Sequence, residues 1–341
     1  MDPSVNPSHI MQIGSGFWAS KVLLSAVEFE VFTHLGGGPK TGLELQDALE
    51  LHPRATWDFL DTLVAMKFLD RAGEGPDALY SNAQDTAIFL DKNSPEYLGG
   101  ILEMFNARLY RFWDGLSEAL RTGKPQNEIK ETGKAVFEEL YSDPEKLEGF
   151  MNAMTGISKG NFMALSKKFN FSEYGTLLDV GGATGQLCLT VAREHPNIRC
   201  TSFDLPPVTE IAQKHIDEEG FNGQVVAVSG DFFNDPLPEA DVVTMGMILH
   251  DWNLERKKNL IQAAYDALPE GGAFIAIENL IDDARRENEF GLLMSLNMLI
   301  EFGDAFDYTG ADFRTWCGEV GFTRFEILPL AGPASAAIAY K

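Results

Sequence analysis

The sequence contains few cysteines, and this scarcity limits the kinds of protein it can encode. Three cysteines, Cys188, Cys200 and Cys317, occur among 341 residues. Their odd number and wide spacing argue against a disulfide framework and against a zinc site. We therefore predict no metal site, buried reduced thiols and a cytoplasmic location.

Basic residues and long apolar runs are also scarce. The chain has 27 lysines and arginines against 51 acidic residues, and its net charge of −24 repels phosphate backbones and anionic lipids. No run approaches the roughly 18 apolar residues of a transmembrane helix. The start, MDPSVNPSHIMQ, lacks the basic cluster and the apolar segment of a signal peptide. We expect no nucleic-acid partner and no membrane partner, but a soluble protein that handles small molecules.

Two common nucleotide-binding motifs are missing from the glycine-rich stretch TLLDVGGATGQ, residues 176–186. Its glycines lie at positions 181, 182 and 185, which does not match G-x-G-x-x-G, and no Gly-Lys-Ser/Thr follows for a phosphate loop. The stretch still ends a predicted strand and begins a predicted helix, where glycines let a ligand approach the backbone. S-adenosylmethionine has no phosphate and fits this loop better than a dinucleotide does.

Residues 1–105 are predicted to form a helical module with one β-ribbon. The stretch GFWASKVLLSAVEFEVFTHL is apolar around most of one predicted helix, which is typical of a helix buried between subunits. Two further helices, one capped by Thr41 and one opened by Pro53, and the ribbon FLDRAGEGPDALYSN complete a winged-helix pattern. Acidic residues outnumber basic ones here, which disfavours DNA binding. We therefore predict a dimerisation domain. The basic residues of this module are Lys21, Lys40, Arg54, Lys67, Arg71 and Lys92.

Residues 106–341 are predicted to form the second domain. A helical connection over 106–170, interrupted by the polar stretch RTGKPQNEIKETGK, precedes a core over 171–341 in which short apolar strands alternate with helices. This rhythm indicates an α/β fold with a Rossmann-like, mostly parallel sheet covered on both faces. The last two strands, TRFEILPL and SAAIAYK, are predicted to add an antiparallel C-terminal hairpin, which makes seven strands in all.

Acidic residues follow the second and third predicted strands of this core. Asp204 is placed to accept both ribose hydroxyls of S-adenosylmethionine. Asp231 can accept from the adenine amino group, and Phe232 can flank the ring. An aspartate at the end of a strand is often only a helix cap or a turn former, so each residue alone has two interpretations. Their order at successive strand ends favours the cofactor site.

Five motifs together resemble a known family. LLDVGGATG, FDLPPV, GDFFNDPLPEADV, ILHDW and ALPEGG are similar to motifs of the class I small-molecule O-methyltransferases related to caffeic acid and acetylserotonin O-methyltransferase, and most of all to those of the bacterial members. The resemblance covers nearly the whole chain. It implies S-adenosyl-L-methionine as cofactor, a small-molecule acceptor, and a homodimer in which the first domain contributes a wall to the partner's acceptor pocket.

The resemblance also assigns roles to individual residues. For the cofactor, it matches Gly181 to the first loop glycine, Asp204 to the ribose acid, and Asp231 and Phe232 to the adenine-contacting pair; Ser158 also lies near the cofactor. His250 matches the catalytic base, Glu278 the acid that orients it, and Asp307 a second such acid. The positions that match substrate-contacting residues of the family are Met154, Met298 and Phe302.

Three positions depart from the family pattern. Ala183 replaces the third glycine of the frequent GGGTG loop. Gly246 stands where many plant members have a lysine that contacts the cofactor, so this contact is absent or replaced. Asp307 is one methylene shorter than the usual glutamate, which leaves its bond to His250 open.

The chemistry needs a base if the acceptor is a hydroxyl. A phenol attacks far better as its anion, and a histidine can remove its proton near neutral pH when a carboxylate fixes its tautomer. A thiol depends less on a base, so an S-methyltransferase with the same cofactor site stays an alternative. Two others are a carbon methyltransferase and a member that binds the cofactor without transferring its methyl group. His250 could also be only a packed residue at a strand end, and Met298 and Phe302 have ordinary core spacing on a predicted helix.

Overall fold

The computed structural model describes residues 5–132 and 144–341. The chain divides into two compact units, Met1–Arg111 and Phe112–Lys341, and each has its own apolar core. All three cysteines are buried and free, as predicted from their number and spacing.

The first unit contains helices and a small antiparallel sheet. The sheet has the order β1-β3-β2, with β1 at Lys40–Thr41, β2 at Leu69–Ala72 and β3 at Leu79–Asn82. Thr41 caps its helix in a capping box with Glu44, as predicted, because each side chain bonds the other's backbone N–H. The helices are α1 Ser8–Gly14, α2 Gly16–Glu28, α3 Val31–Gly36, α4 Gly42–Ala48, α5 Pro53–Ala65, α6 Gln84–Phe89 and α7 Gly99–Met104.

The single helix predicted around Phe17 to Leu35 is wrong. The chain breaks at Glu30, whose φ of 55° lies in the left-handed region, and α2 and α3 are separate helices. A straight helix that is apolar all round would leave one side uncovered. The break instead lets α3 bury Val31, Phe32 and Leu35 in the core of the unit.

The stretch Ser8–Glu28 is long and apolar enough to span a membrane by length and composition alone, although few of its residues are buried. Phe17 and Trp18 are among its exposed side chains. A helix that packs against another protein has the same properties.

The second unit is built on a seven-stranded sheet with the order β6-β5-β4-β7-β8-β10-β9. The first five of these strands are parallel, and β10 pairs antiparallel with β8 and β9. The predicted α/β fold with its antiparallel C-terminal hairpin is therefore confirmed. The strands are β4 Thr176–Val180, β5 Arg199–Asp204, β6 Val225–Ser229, β7 Val242–Gly246, β8 Ala273–Glu278, β9 Arg324–Pro329 and β10 Ser335–Tyr340.

Helices cover both faces of this sheet. A π-helical turn, Phe105–Leu109, and the short helix α8 Tyr110–Phe112 lie at the boundary between the two units. The later helices of the described residues are α9 Leu116–Thr122, α10 Glu128–Thr132, α11 Pro144–Lys168, α12 Gln186–Glu194, α13 Pro206–Glu218, α14 Leu254–Ala267, α15 Glu289–Phe302 and α16 Gly310–Val320. Residues of α14 and α16 pack in one apolar cluster, and residues of α11, α12 and α13 in another. Part of the predicted helical connection, residues 133–143, lies outside the described residues.

The strand order places a ligand site at the carboxyl ends of the central strands. The chain runs outward from β4 to β5 and β6 on one side and to β7 and β8 on the other. In open α/β sheets, ligands bind beyond the carboxyl ends of the strands where the order reverses in this way. The glycine loop follows β4 at this point.

Candidate active site

The glycine loop is pressed closely against its neighbours. Gly181 has a φ of 71°, and a Cβ there would lie 2.3 Å from Cδ1 of Ile248. A Cβ on Gly182 would lie 2.2 Å from Oγ of Ser202. Neither position accepts a side chain without a shift in its neighbours, so the glycines fix the path of the loop between β4 and α12.

Ala183 replaces a family glycine in the left-handed conformation, with a φ of 49°. An L-residue there costs about 1 kcal/mol of strain. The backbone N–H of Ala183 donates to Oδ2 of Asp204 at 3.0 Å. This bond holds the alanine in place and ties the loop to the end of β5.

A cavity of about 350 Å³ opens beside this loop. Its walls come from α11, from the loop, and from the segments that follow β5, β6 and β7. Six of the predicted site residues line it: Gly181, Asp204, Asp231, Phe232, Met154 and Ser158. The structure thus brings together every residue predicted for the cofactor, along with one predicted for the acceptor.

The two predicted cofactor acids differ in how they are held. Asp204 accepts from the N–H of Ala183 and, at 2.7 Å, from the N–H of Leu205. Burial raises its pKa to about 6, and these two backbone N–H groups oppose the rise. Asp231 accepts from the N–H of Phe233 at 2.9 Å and from the Asn234 side chain at 2.6 Å. Asp231 therefore also forms the turn that its position after a strand suggested.

The cavity has an acidic lining. Asp179, Asp204, Asp231 and Asp251 lie on its walls, and no lysine or arginine does so within the described part of the chain. Such a lining opposes a phosphate-bearing dinucleotide and suits a cation. A sulfonium cofactor with ribose hydroxyls fits both the charge and the close approach at Gly182, so the residues present fit S-adenosylmethionine.

His250 lies in a buried turn, Leu249–Asp251, just after β7 and behind the cavity wall. It is 4% exposed. Its Nδ1 lies 3.4 Å from Oδ1 of Asp307, and its Nε2 lies 3.3 Å from Oδ1 of Asp251. The backbone N–H of His250 donates to Oε1 of Glu278 at 3.3 Å. Asp307 therefore contacts the ring, whereas Glu278, the residue predicted to orient it, contacts the backbone.

Several polar atoms of this cluster find no hydrogen-bond partner among the described residues. They are Nδ1 of His250, Oε2 of Glu278 and both carboxylate oxygens of Asp307. One ligand atom of each residue lies within 4.8 Å of the others, so the three could share protons or hold a metal ion. Buried polar atoms without a protein partner need an explanation, such as a bound water, an ion or a catalytic role.

The charges of this cluster act on His250. Burial disfavours the imidazolium, but the carboxylates of Asp251, Glu278 and Asp307 outweigh burial and hold the pKa of His250 above its ordinary value. Burial raises the pKa of the Glu278 carboxyl group, and the positive charge of His250 opposes this rise. His250 and these carboxylates therefore titrate as a coupled set rather than independently.

Asp251 was missed in the sequence prediction. It lines the cavity and lies against Nε2 of His250, whereas the sequence also allows it to be only the cap of α14. The cap is Asn253, whose side chain accepts from the N–H of Arg256. Asn253, two positions after Asp251, is itself a good capping residue, so the sequence did contain a signal that Asp251 is not needed as the cap.

The predicted acceptor residues on α15 lie elsewhere. Met298 is 5% exposed, and neither it nor Phe302 is on the cavity wall. Their role toward an acceptor stays a prediction. Gly246, which stands where plant relatives have a lysine, does line the cavity, and a Cβ there would meet Phe162 only at an ordinary 3.7 Å. Space for a side chain exists, but this chain supplies no cation at that position.

The sheet order, the glycine loop and the strand-end acids define a class I methyltransferase that uses S-adenosylmethionine. The family model of the O-methyltransferase domain matches residues 113–323, and that of the O-methyltransferase dimerisation domain matches residues 11–92. The chain belongs to the O-methyltransferase family. The predicted family, cofactor and enzyme class are confirmed.

Known relatives extend over nearly the full chain. The tetracenomycin polyketide synthesis 8-O-methyltransferase TcmO of Streptomyces glaucescens is 38% identical over 98% of this chain and 97% of its own. The N,N-dimethyltransferase OxyT of Streptomyces rimosus is 33% identical over 94% of this chain and 92% of its own. The crystal structure of human N-acetylserotonin methyltransferase in complex with S-adenosylmethionine superposes with a TM-score of 0.91 at 28% identity, covering 100% of this chain and 99% of the human one.

Proposed function

We propose that the enzyme transfers a methyl group to a hydroxyl of a small aromatic molecule, with His250 as the general base. The observation that carries this proposal is a buried histidine among three carboxylates directly behind the cofactor cavity. A base is needed because a phenol has a pKa of about 10 and is mostly protonated at neutral pH. Glu278 and Asp307 assist the base.

The residues of the cavity bind and orient S-adenosylmethionine. S-adenosylmethionine, when bound, supplies a methyl group that its sulfonium already activates. The close-packed loop at Gly181 and Gly182 shapes the floor, and Asp204 and Asp231 offer acceptors for hydroxyl and amino groups. Phe232 provides an aromatic face, and Ser158 and Met154 line the wall formed by α11. The chain's main task is alignment, because the reaction is an in-line displacement.

His250 takes the proton of the acceptor hydroxyl on Nε2, the nitrogen that lies 3.3 Å from Oδ1 of Asp251, a residue of the cavity wall. Asp307 lies at Nδ1 and stabilises the imidazolium that forms, and Glu278 holds the backbone of the same turn. The carboxylates raise the pKa of His250, so the neutral base forms only as the pH rises through this higher value. Activity is therefore expected to increase with pH through this raised pKa.

The relatives support an oxygen acceptor. The family is named for O-methyl transfer, TcmO is named as an 8-O-methyltransferase, and a bovine relative is named acetylserotonin O-methyltransferase. OxyT is named for N-methylation, which makes an amine the second candidate. The comparisons give no support to the thiol alternative.

We expect the enzyme to methylate naphthols and other polycyclic phenols with labelled S-adenosylmethionine. Matched naphthylamines and thionaphthols, tested at the same concentration with mass detection of the product, serve as controls. The hydroxyl is expected to react faster than either analogue in the wild type, and His250→Ala is expected to slow the hydroxyl far more than the thiol, because only the hydroxyl depends on a base to lose its proton. A faster amine or thiol would contradict the proposal.

We further propose that residues 1–105 form the dimerisation domain of a homodimer and residues 106–341 the methyltransferase domain. The matched dimerisation domain and the exposed Phe17 and Trp18 support this. Light scattering is expected to give twice the chain mass of 37.6 kDa. Trp18→Glu should shift the protein toward the monomer, because it places a charge in an apolar contact. Glu74→Lys, on the β-ribbon, should not, and a wild type that stays monomeric at micromolar concentration would contradict the proposal. A cytoplasmic location and the absence of a nucleic-acid or membrane partner stay predictions.

A further inference from the structure

Lys257 is a buried lysine that the proposed mechanism leaves without a role. It lies in the first turn of α14 and is 0% exposed. The other buried residues of this helix include Leu260, Ile261 and Ala264, so position 257 belongs to its apolar face. Burial of an ammonium group is unfavourable unless it is paired and hydrogen-bonded. A lysine at this position is therefore expected to serve a specific contact.

The contacts of Lys257 are with the turn that carries His250. Its Nζ donates to the carbonyl oxygen of Leu249 at 2.9 Å and also to the carbonyl oxygen of Trp252. These two residues flank His250 and Asp251, so one ammonium group fixes both ends of the turn. The ring of Phe306 lies 4.0 Å from Nζ, measured to the centroid, and closes the site on another side.

Carboxylates face Lys257 from three elements besides its own helix. Asp251 faces it from the turn, Glu278 from the end of β8, and Asp304 and Asp307 from the loop after α15. Burial lowers the pKa of Lys257 to about 8, against the opposing effect of these carboxylates, so the lysine carries its proton at neutral pH. It is a positive charge placed inside the acidic cluster that surrounds His250.

We propose that Lys257 is a positioning residue for methyl transfer: its ammonium group fixes the turn that carries His250 and offsets the charge of the carboxylates around that histidine. This inference rests on the proposed role of His250 as the base. Without the lysine charge, the carboxylates hold a proton on the cluster more tightly. The neutral base then forms only at a higher pH.

The direct test is the pKa of His250 in the full-length enzyme, measured by NMR with ¹³C-labelled histidine. The chain has 6 histidines, and the signal that disappears in His250→Ala is that of His250. Lys257→Met is expected to raise this pKa by about 1 unit, the order expected for the loss of one neighbouring positive charge in a protein interior. Lys258→Met, which removes the adjacent lysine paired with Glu319 on the surface, is expected to leave it unchanged.

Turnover gives a second readout, with S-adenosylmethionine and 1-naphthol as substrates. The rise of kcat/KM with pH is expected to move upward in Lys257→Met by the same interval, while calorimetric affinity for S-adenosylmethionine stays within about threefold. A uniform loss of rate with an unmoved pH profile would show that the lysine only supports the fold, and would overturn the proposal.

Two further variants keep the test decisive. Lys257→Gln retains a donor for the carbonyl oxygens without the charge, so it serves if the methionine variant does not fold, and it should raise the pKa of His250 equally. Lys257→Arg keeps the charge and should leave that pKa near the wild-type value. An unchanged pKa in a folded neutral variant would refute the inference. If His250→Ala is instead as active as the wild type, the proposed function fails, and the NMR titration still decides whether Lys257 sets the pKa of His250.

Discussion

His250→Ala is expected to lower kcat by roughly 10²-fold or more on a phenolic acceptor, the usual contribution of a positioned base. Affinity for S-adenosylmethionine should stay near the wild-type value, because His250 lies behind the cavity wall and does not line it. Higher pH should restore part of the activity, since it ionises the phenol without a base. Steady-state kinetics across pH, together with calorimetry of cofactor binding, measure both quantities.

Variants of the neighbouring acids extend this prediction. Asp307→Asn should lower kcat more than Glu278→Gln, because Asp307 faces the imidazole ring at 3.4 Å whereas Glu278 bonds the backbone. The matched control is His52→Asn, which replaces a histidine that caps α5 by another capping residue. If His250→Ala retains nearly full activity while small thiols react faster than any hydroxyl, the S-methyltransferase alternative is correct.

Asp204→Ala is expected to weaken S-adenosylmethionine binding by roughly tenfold to a hundredfold. A hydrogen bond to a charged group contributes about 1.5–3 kcal/mol. The substitution also removes the acceptor that holds the N–H of Ala183, so the loop loses the bond that fixes its left-handed residue. Calorimetry on the folded variant gives the affinity directly. We expect a smaller loss for Asp231→Ala, although still about tenfold, because both of its oxygens already bond within its own turn.

The control for this experiment is Asp217→Ala on α13. Asp217 is exposed, and its side chain accepts from the Gln213 side chain on the same helix. It should leave cofactor affinity unchanged. Equal affinity in wild type and Asp204→Ala would remove Asp204 from the cofactor site, and tight binding of NADH by the wild type would favour a dinucleotide instead.

The sheet could be predicted because its signals are local. Each of the five parallel strands is a short run that ends in, or is followed by, a glycine or an acid, and each helix between them has its own apolar face. The break at Glu30 could not be predicted in this way. Both sides of it are helical and apolar, and only the packing of α3 into the core decides where the chain turns.

In the candidate site, too, some features could be predicted from the sequence and others could not. Asp204 is the last residue of β5, and Asp231 and Phe232 come shortly after β6, so their meeting at the carboxyl ends of the strands is a consequence of parallel topology. The cluster around His250 depends on segments far apart in sequence, and the lengths of their side chains decide which acid reaches the ring. The burial of Lys257 could not be predicted from the sequence, since a lysine on a helix is normally taken to be exposed.

The acidic lining of the cavity has a consequence for turnover. Asp179, Asp204, Asp231 and Asp251 face a ligand that is a cation before the reaction and has lost its sulfonium charge afterwards. The attraction between these side chains and the sulfonium charge is therefore present for the methyl donor and absent for its demethylated product, which keeps only the hydrogen bonds to its ribose and adenine groups. The net charge of −24 acts in the same sense at long range, because it attracts the incoming cation and not the spent thioether. Methyl transfer thus weakens binding of the cofactor, and each catalytic cycle favours release of the demethylated product and binding of a new methyl donor.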